Sequence, residues 1–447
     1  MKKLTALLLT FGIAFVAAAN TNAPSWLSRP LTLADTLNVA LAQNATILEA
    51  KNDLEASQGL VVETRAVALP QLKATGQYVD EEITLLQEFP GFSFPTPHQN
   101  WNAGIQIVQS VYTGGRMVAA VRAAAATRKQ SLAVFQTSVA DTLLNVRIAY
   151  YDVLLAAQQI TVQEASVKLL EKELEDQQHR FDAGTVPKFN VLRAEVAAAN
   201  QRPSLINARN NYRISKNNLV NLLGYSLPRD VWEDVPLNLM DNFDTSPYSV
   251  NLPDAIQQAL NRRTELVAQR KTVELQGYNI INAKSGYQPT VSLFAGYNWV
   301  NSSFSTDPAQ EFDGWNAGAQ MSWNIFDGAA TYGRVKEAKA QYAKAKTTLE
   351  DQQRQIELQV RTAYSQFIEA RETLESQEKV QEEAEEALRE ANARAEAGTG
   401  TQLDVLDAET SLTQARTTQI QAQHDYVAAR ARLDRAMGVD LAPLKAP

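Results

Sequence analysis

The chain contains no cysteine among its 447 residues, so neither disulfides nor thiolate metal sites can stabilise it, and stability has to come from burial and association. Long apolar runs are equally scarce. The single one, Leu4 to Val16, follows Lys2 and Lys3 and ends in Ala17-Ala18-Ala19, which is the pattern of a secretory signal peptide cut after Ala19. That leader carries no lipid-anchor cysteine. No later segment approaches the roughly 18 to 20 apolar residues that a membrane-spanning helix needs, so any membrane residence of the mature chain must be as a β-barrel. Basic residues are also in the minority. Of 42 Lys and Arg, Lys2 and Lys3 leave with the leader, and the remaining 40 face 50 acids, a balance that argues against nucleic acid and anionic lipid surfaces as partners.

Enzyme signatures are missing as well. There is no phosphate-binding Gly-rich loop with lysine, no Gly-x-Ser-x-Gly elbow and no paired-histidine motif. His98, His179 and His424 are isolated in sequence, and five methionines without cysteine give no soft-metal site. The expectation is a non-enzyme without cofactor or metal.

What the chain does have is a unit written twice. "LTLADTLNVAL" from Leu31 aligns with "VNLPDAIQQAL" from Val250, and the same offset carries Pro70 onto Pro289. "WNAGIQIVQS" from Trp101 aligns with "WNAGAQMSWN" from Trp315 at a slightly smaller offset, and the match then runs to Gly224 and Gly438 without a gap. The length difference falls between Pro70 and Trp101, in a loop free to vary. We read residues 1–19 as leader, 20–224 as the first repeat, 225–250 as an irregular linker rich in proline and aspartate, 251–438 as the second repeat and 439–447 as a short tail.

Each repeat opens with a helix, expected over 38–69 and 257–288 and ended by its proline. Two alternating segments follow, expected as strands at about 71–80 and 102–112, then 290–300 and 316–326. In the second repeat Val291, Leu293, Ala295, Tyr297 and Trp299 share a face, as do Ala317, Ala319, Met321, Trp323 and Ile325. The first repeat places Leu72, Ala74 and Tyr78, and Ala103, Ile105, Ile107 and Val111, in the same way. A helical pattern then runs from about 115 to 183 and from 329 to 397, a length of ~100 Å at 1.5 Å per residue. With the helix after it, each must project as a coiled-coil hairpin, its tip near 184–188 or 398–402. In the second, Leu349, Ile356, Val360, Ala363 and Phe367 form the seam, which turns small at Ala384, Ala387, Ala391 and Ala395.

The helices alone fit a soluble rod. The strands favour a lipid-facing wall, because their second face is small and polar but nearly uncharged, and the helices offer no spare apolar surface to cover the first. Four strands cannot close a barrel, and an open edge in lipid leaves backbone groups unpaired at several kcal/mol each, so several chains must contribute. Three give twelve strands, wide enough for a water-filled interior.

These features together resemble the TolC family of outer-membrane efflux proteins over the whole mature chain. The residues that carry the resemblance are the repeat, "LPQL" at 69–72 with "QPTV" at 288–291, the Trp-Asn-Ala-Gly strand starts, "YTGGR" and "FDGAA" after the second strand of each pair, and above all "AGTGTQLDVLDAET" at 397–410. The resemblance implies an α+β membrane protein: a homotrimer whose twelve-stranded transmembrane β-barrel, four strands per chain, continues as a periplasmic α-helical coiled-coil barrel. It implies a passive exit duct of the Gram-negative outer membrane for efflux or type I secretion, recruited by an inner-membrane transporter through a periplasmic adaptor protein. The competing reading is a periplasmic coiled-coil spacer or adaptor that conducts nothing.

The candidate site is the pair of hairpin tips. Thr401 reads as an N-cap with Asp404 at the third helical position, where a carboxylate also meets the helix dipole. Asp407 lies one turn further in on the same face, where capping no longer needs it. In a trimer the two positions supply six carboxylates around one axis, a cation-selective gate. The first repeat has Asn190 and Arg193 at these places, and Arg193 is a candidate clasp to an acid on a neighbouring hairpin. Gly184-Thr185 and Gly398-Thr399 sit at the bends, where glycine permits the left-handed helix end, and the resemblance adds a contact with the adaptor. Pro203 has no counterpart in the second repeat and is expected to make the hairpins mechanically unequal.

Overall fold

The computed structural model describes residues 26–27, 29–82, 98–226, 234–301, 307 and 309–439. The leader, most of the loop before Trp101 and all but Val439 of the tail lie outside them.

The element order is helix, helix, strand, strand, long helix, helix, and it occurs twice. The first set comprises α1 (Leu33–Gln43), α2 (Ala45–Ala66), β1 (Gln71–Asp80), β2 (Gln99–Tyr112), α3 (Arg116–Asp182) and α4 (Lys188–Leu222). The second comprises α5 (Leu252–Arg262), α6 (Thr264–Lys284), β3 (Thr290–Asn301), β4 (Glu311–Ser322), α7 (Ala330–Glu396) and α8 (Gln402–Met437).

Four of these elements differ from the sequence reading, three of them for a local reason. The helix expected over 38–69 starts earlier and is broken at Asn44, whose extended backbone closes α1 and opens α2. Its Oδ1 accepts from the Ile47 N–H at 3.2 Å, while its Nδ2 donates to the Leu222 carbonyl at 2.7 Å. Arg263 breaks the second helix in the same manner, between α5 and α6. The fourth strand, expected over 316–326, runs from Glu311 to Ser322. It begins early because Glu311 and Phe312 continue the ladder opposite Asn301 and Val300, and it ends early because its partner does: Ser322 faces Thr290, which follows Pro289. Trp323 and Ile325 therefore stand beyond the strand, and Trp323 Nε1 donates to the Tyr287 carbonyl at 3.2 Å. β2 likewise begins three residues before the expected Asn102.

The strands form one antiparallel sheet in the order β1-β2-β3-β4, with β1 and β4 as free edges among the described residues. The register sorts residues into cross-strand rows. Leu72, Ile107, Ala295 and Ala317 form one, and Ala74, Ile105, Tyr297 and Trp315 another. Between them lies the row Lys73, Gln106, Gly296 and Asn316. The apolar rows face outward: Leu72 is 69 %, Ile107 48 % and Trp315 79 % exposed. None of the hydrophobic clusters among the described residues includes a sheet residue. A soluble sheet would bury one of its faces.

The buried mass sits in the helices instead. One cluster joins α1, α3 and α4 to Val235 and Leu237 of the linker, and the other joins α5, α7 and α8 around Ile356, Val360 and Phe367. Tyr151 and Phe243 pack against both, so the linker stitches the two halves together. Asp241 assists, accepting from the Leu33 N–H at 2.7 Å and from the Tyr150 hydroxyl at 2.9 Å. Truncating a fully buried Leu143 or Ile356 to alanine costs about 2 to 5 kcal/mol in such a setting. α3 and α7 are 67 residues each, ~100 Å long. Each packs along its partner α4 or α8, and α3 also packs along α8, so the two hairpins lie side by side. Towards the tip the seam thins to Leu170, Ala198 and Leu406, and to Leu388, Val405 and Leu412. Ala384, Ala391 and Ala395 pack there as expected, but Ala387 is exposed and Leu388 takes the seam position. α4 runs through Pro203, which is exposed beside the equally exposed Ala199, so water can take up the Ala199 carbonyl that the proline leaves unpaired.

Candidate functional site at the hairpin tips

Both bends are made the same way. α3 ends at Asp182 and Gly184 adopts a left-handed φ of 73°; the Thr185 N–H and hydroxyl then donate to the Arg180 carbonyl at 2.9 and 2.8 Å. At the second tip Gly398 has φ 75°, and the Thr399 and Gly400 N–H groups donate to the Arg394 carbonyl at 2.9 and 3.0 Å. Gly184, Thr185, Gly398 and Thr399 are all exposed, at the far end of the hairpins from the sheet.

The bends differ in how the next helix starts. α4 begins after Pro187 without any side-chain cap. α8 begins with a full capping box: the Asp404 N–H donates to Thr401 Oγ1 at 3.3 Å, and Asp404 Oδ2 accepts from the Thr401 N–H and hydroxyl, both at 2.8 Å. The Thr401 backbone N–H and then its hydroxyl hold the Asp404 carboxyl below the usual carboxylate range, so it is ionised at neutral pH. Asp407 is exposed on the same face, and its carboxylate makes no hydrogen bond or ion pair among the described residues. Asp404 thus has a structural task, and Asp407 has none.

Asn190 and Arg193 are half-buried on α4 and face a cleft of about 490 Å³ between the two tips. The Asn190 carbonyl accepts from Gln402 Nε2 at 3.2 Å, which bridges the hairpins at their ends. Arg193 makes no ion pair within its own chain among the described residues. The structure therefore brings Asn190 and Arg193 together with the start of α8, while Asp404 and Asp407 point away from that contact into solvent.

Two groups escaped the sequence reading. Glu409 is 4 % exposed, and burial followed by the nearby Glu173 pushes its carboxyl up to about 7. His424 does have companions: its Nε2 lies 2.8 Å from Asp152 Oδ1 on α3, and its Nδ1 lies 2.9 Å from Asp425 Oδ1. Burial works against its protonation, but the two carboxylates outweigh it and raise the imidazole to about 9. In both cases the decisive partner is on α3, far away in sequence, and only the fold reveals it.

The comparisons with known proteins agree with this architecture. The chain matches the outer membrane efflux protein family over residues 36–225 and 255–439. It is 24 % identical over 425 residues to the outer membrane protein TolC of Escherichia coli (strain K12), covering 93 % of this chain and 83 % of that one. The Campylobacter jejuni CmeC outer membrane channel superposes with a TM-score of 0.78 at 15 % identity, over 91 % of this chain and 85 % of the other. The outer-membrane channel OprN gives 0.75 at 20 % identity, over 91 % and 89 %. The chain belongs to the outer membrane efflux protein family, and it is an exit duct of the outer membrane for efflux or secretion.

Proposed function

We propose that three copies of the chain close a twelve-stranded barrel in the outer membrane, with the paired hairpins continuing as a tunnel into the periplasm. The observation that carries this is the sheet, which has four strands, an exposed apolar face that joins no core, and two free edges. Those edges need partners in lipid. The proposal includes the duplicated unit, with its linker over 225–250, and export of the chain by residues 1–19.

The tunnel is passive. It draws on an inner-membrane transporter for energy and meets a periplasmic adaptor at the exposed bends Gly184-Thr185 and Gly398-Thr399. Asp404 and Asp407 form a carboxylate ring at its periplasmic end. Asn190 and Arg193 complete the gate from the neighbouring hairpin, where Arg193, free of any ion pair within its own chain among the described residues, is available to an acid of the next copy.

Planar-bilayer recording of protein purified from detergent-solubilised outer membranes tests this. The expected result is a cation-selective pore in which Asp404→Asn with Asp407→Asn raises single-channel conductance or lowers cation selectivity. If both values stay unchanged, the gate is elsewhere. Extraction without detergent and a silent bilayer would instead mark a periplasmic spacer.

A further inference from the structure

Between the hairpins, just above the bends, lies a set of oxygen atoms that the fold leaves short of donors. Glu173 and Gln177 are one turn apart on α3, and Gln402 and Glu409 are two turns apart on the facing side of α8. Glu409 and Gln177 are 4 % and 5 % exposed. Glu409 Oε2, Gln177 Oε1 and Gln402 Oε1 are all buried and have no hydrogen-bond partner among the described residues. Glu173 connects the set. Its Oε1 accepts from Gln177 Nε2 at 2.9 Å, its carboxyl is pushed up by burial and eased by the Gln177 and Gln402 amides, and its charge bears on Glu409.

Buried acceptors without donors are unfavourable, so the arrangement calls for a donor or a cation. Turning the amides round does not help. Flipped, Gln177 would point its oxygen at the Glu173 carboxylate, and Gln402 would point its own at the Asn190 carbonyl. A proton on Glu409 serves only one of the three oxygens. Arg180 and Arg193 line the adjoining cleft from α3 and α4, yet neither donates to these oxygens, while Asp176 and Glu396 add further negative charge from α3 and α7. Among the described residues no three His, Cys, Asp or Glu side chains cluster as a metal site. The donors here are two carboxylates and two amides, an all-oxygen set of the kind that hard cations take.

We infer that Glu173 and Glu409, with the amide oxygens of Gln177 and Gln402, bind a hard divalent cation between the two hairpins of one chain. Calcium fits better than magnesium, because flexible side-chain oxygens at irregular spacing suit its variable coordination, whereas magnesium demands a near-ideal octahedron. Such an ion would clamp α3 to α8 immediately behind the bends. The site is separate from the exposed Asp404 and Asp407, and it does not depend on the chain conducting anything.

The test is thermal unfolding and calorimetric titration of the full-length, chelator-treated protein in detergent, with calcium or magnesium chloride added at constant ionic strength. Calcium is expected to raise the midpoint by several degrees, magnesium by less, with one ion bound per chain. Glu409→Gln and Glu173→Gln are each expected to lose the calcium response while keeping or raising the metal-free midpoint, since each removes a buried like-charge contact; that result separates a lost site from a damaged fold. Asp407→Asn, which touches neither the cap nor the site, is expected to keep the response. No calcium response in the parent protein would overturn the inference, as would a response that survives both glutamate substitutions or disappears with Asp407→Asn. Stabilisation by acid alone, with no divalent dependence, would make this a proton site and overturn it equally.

Discussion

His424 on α8 and Asp152 on α3 are joined at 2.8 Å, a link between the two halves of the chain at a level where both helices are otherwise packed with small and aromatic side chains. Its sign with pH follows from the imidazole. The folded value of about 9 lies above the ordinary 6.5, so the stabilisation is fully present below pH 6.5 and is lost as pH rises through 9. With both carboxylates about half exposed, the link is worth on the order of 1 to 2 kcal/mol after screening. His424→Gln is expected to lower the thermal midpoint at pH 6 and to flatten its decline between pH 6.5 and 9, read by unfolding in detergent across that range.

Thr401 and Asp407 separate two tasks that adjoin in sequence. Thr401→Ala removes half of the capping box and is expected to cost about 1 kcal/mol locally, seen as faster amide exchange in the first turn of α8. On the proposed gate, Asp407→Asn is expected to leave that exchange unchanged and to alter conductance alone. If Asp407→Asn frays α8 as much as Thr401→Ala does, the division of labour is wrong.

Gly224 and Gly184 share a positive φ but not a setting. A Cβ at Gly224 would lie 2.3 Å from the Gln43 carbonyl oxygen, where the end of α4 meets the break between α1 and α2, whereas a Cβ at Gly184 meets nothing within 4 Å. Gly184→Ala is therefore expected to cost about 1 kcal/mol, from backbone strain alone. Gly224→Ala adds a backbone clash and should cost several-fold more, measured as the fall in thermal midpoint. Equal effects would contradict the close packing at Gly224.

Ile107 and Gln106 are adjacent in β2 but lie on opposite faces of the sheet. Arginine on the lipid face near mid-membrane costs about 2 to 4 kcal/mol, while lumen positions tolerate charge. Ile107→Arg is expected to reduce the yield of protein in the outer-membrane fraction sharply, and Gln106→Arg to leave it near normal. The reverse order would invert the lipid and lumen faces of the proposed barrel.

The strand faces were legible because a period of two survives in sequence wherever one face meets a uniform environment. The breaks at Asn44 and Arg263 were not legible, since apolar spacing continues across both and only the docking of Leu222 and of the α8 end shows why the chain turns there. The start of β4 was hidden for the opposite reason: Glu311, Asp313 and Gly314 do not look like strand, and pairing with β3 overrides them. At the tips, the capping role of Thr401 and Asp404 could be read locally. Glu409 could not, because an acid in a polar helix reads as solvated until a helix from the other half of the chain is laid over it.

The free edges of β1 and β4 also make the protein's genetics predictable. The proposed barrel, closed from three copies, is only as sound as its worst seam, so a chain whose edge cannot pair spoils every assembly it enters. Substitutions along Gln71–Asp80 or Glu311–Ser322 that block pairing should therefore act dominantly when expressed beside the normal copy, while equally severe substitutions in the buried helical core, which remove the chain before assembly, should be recessive.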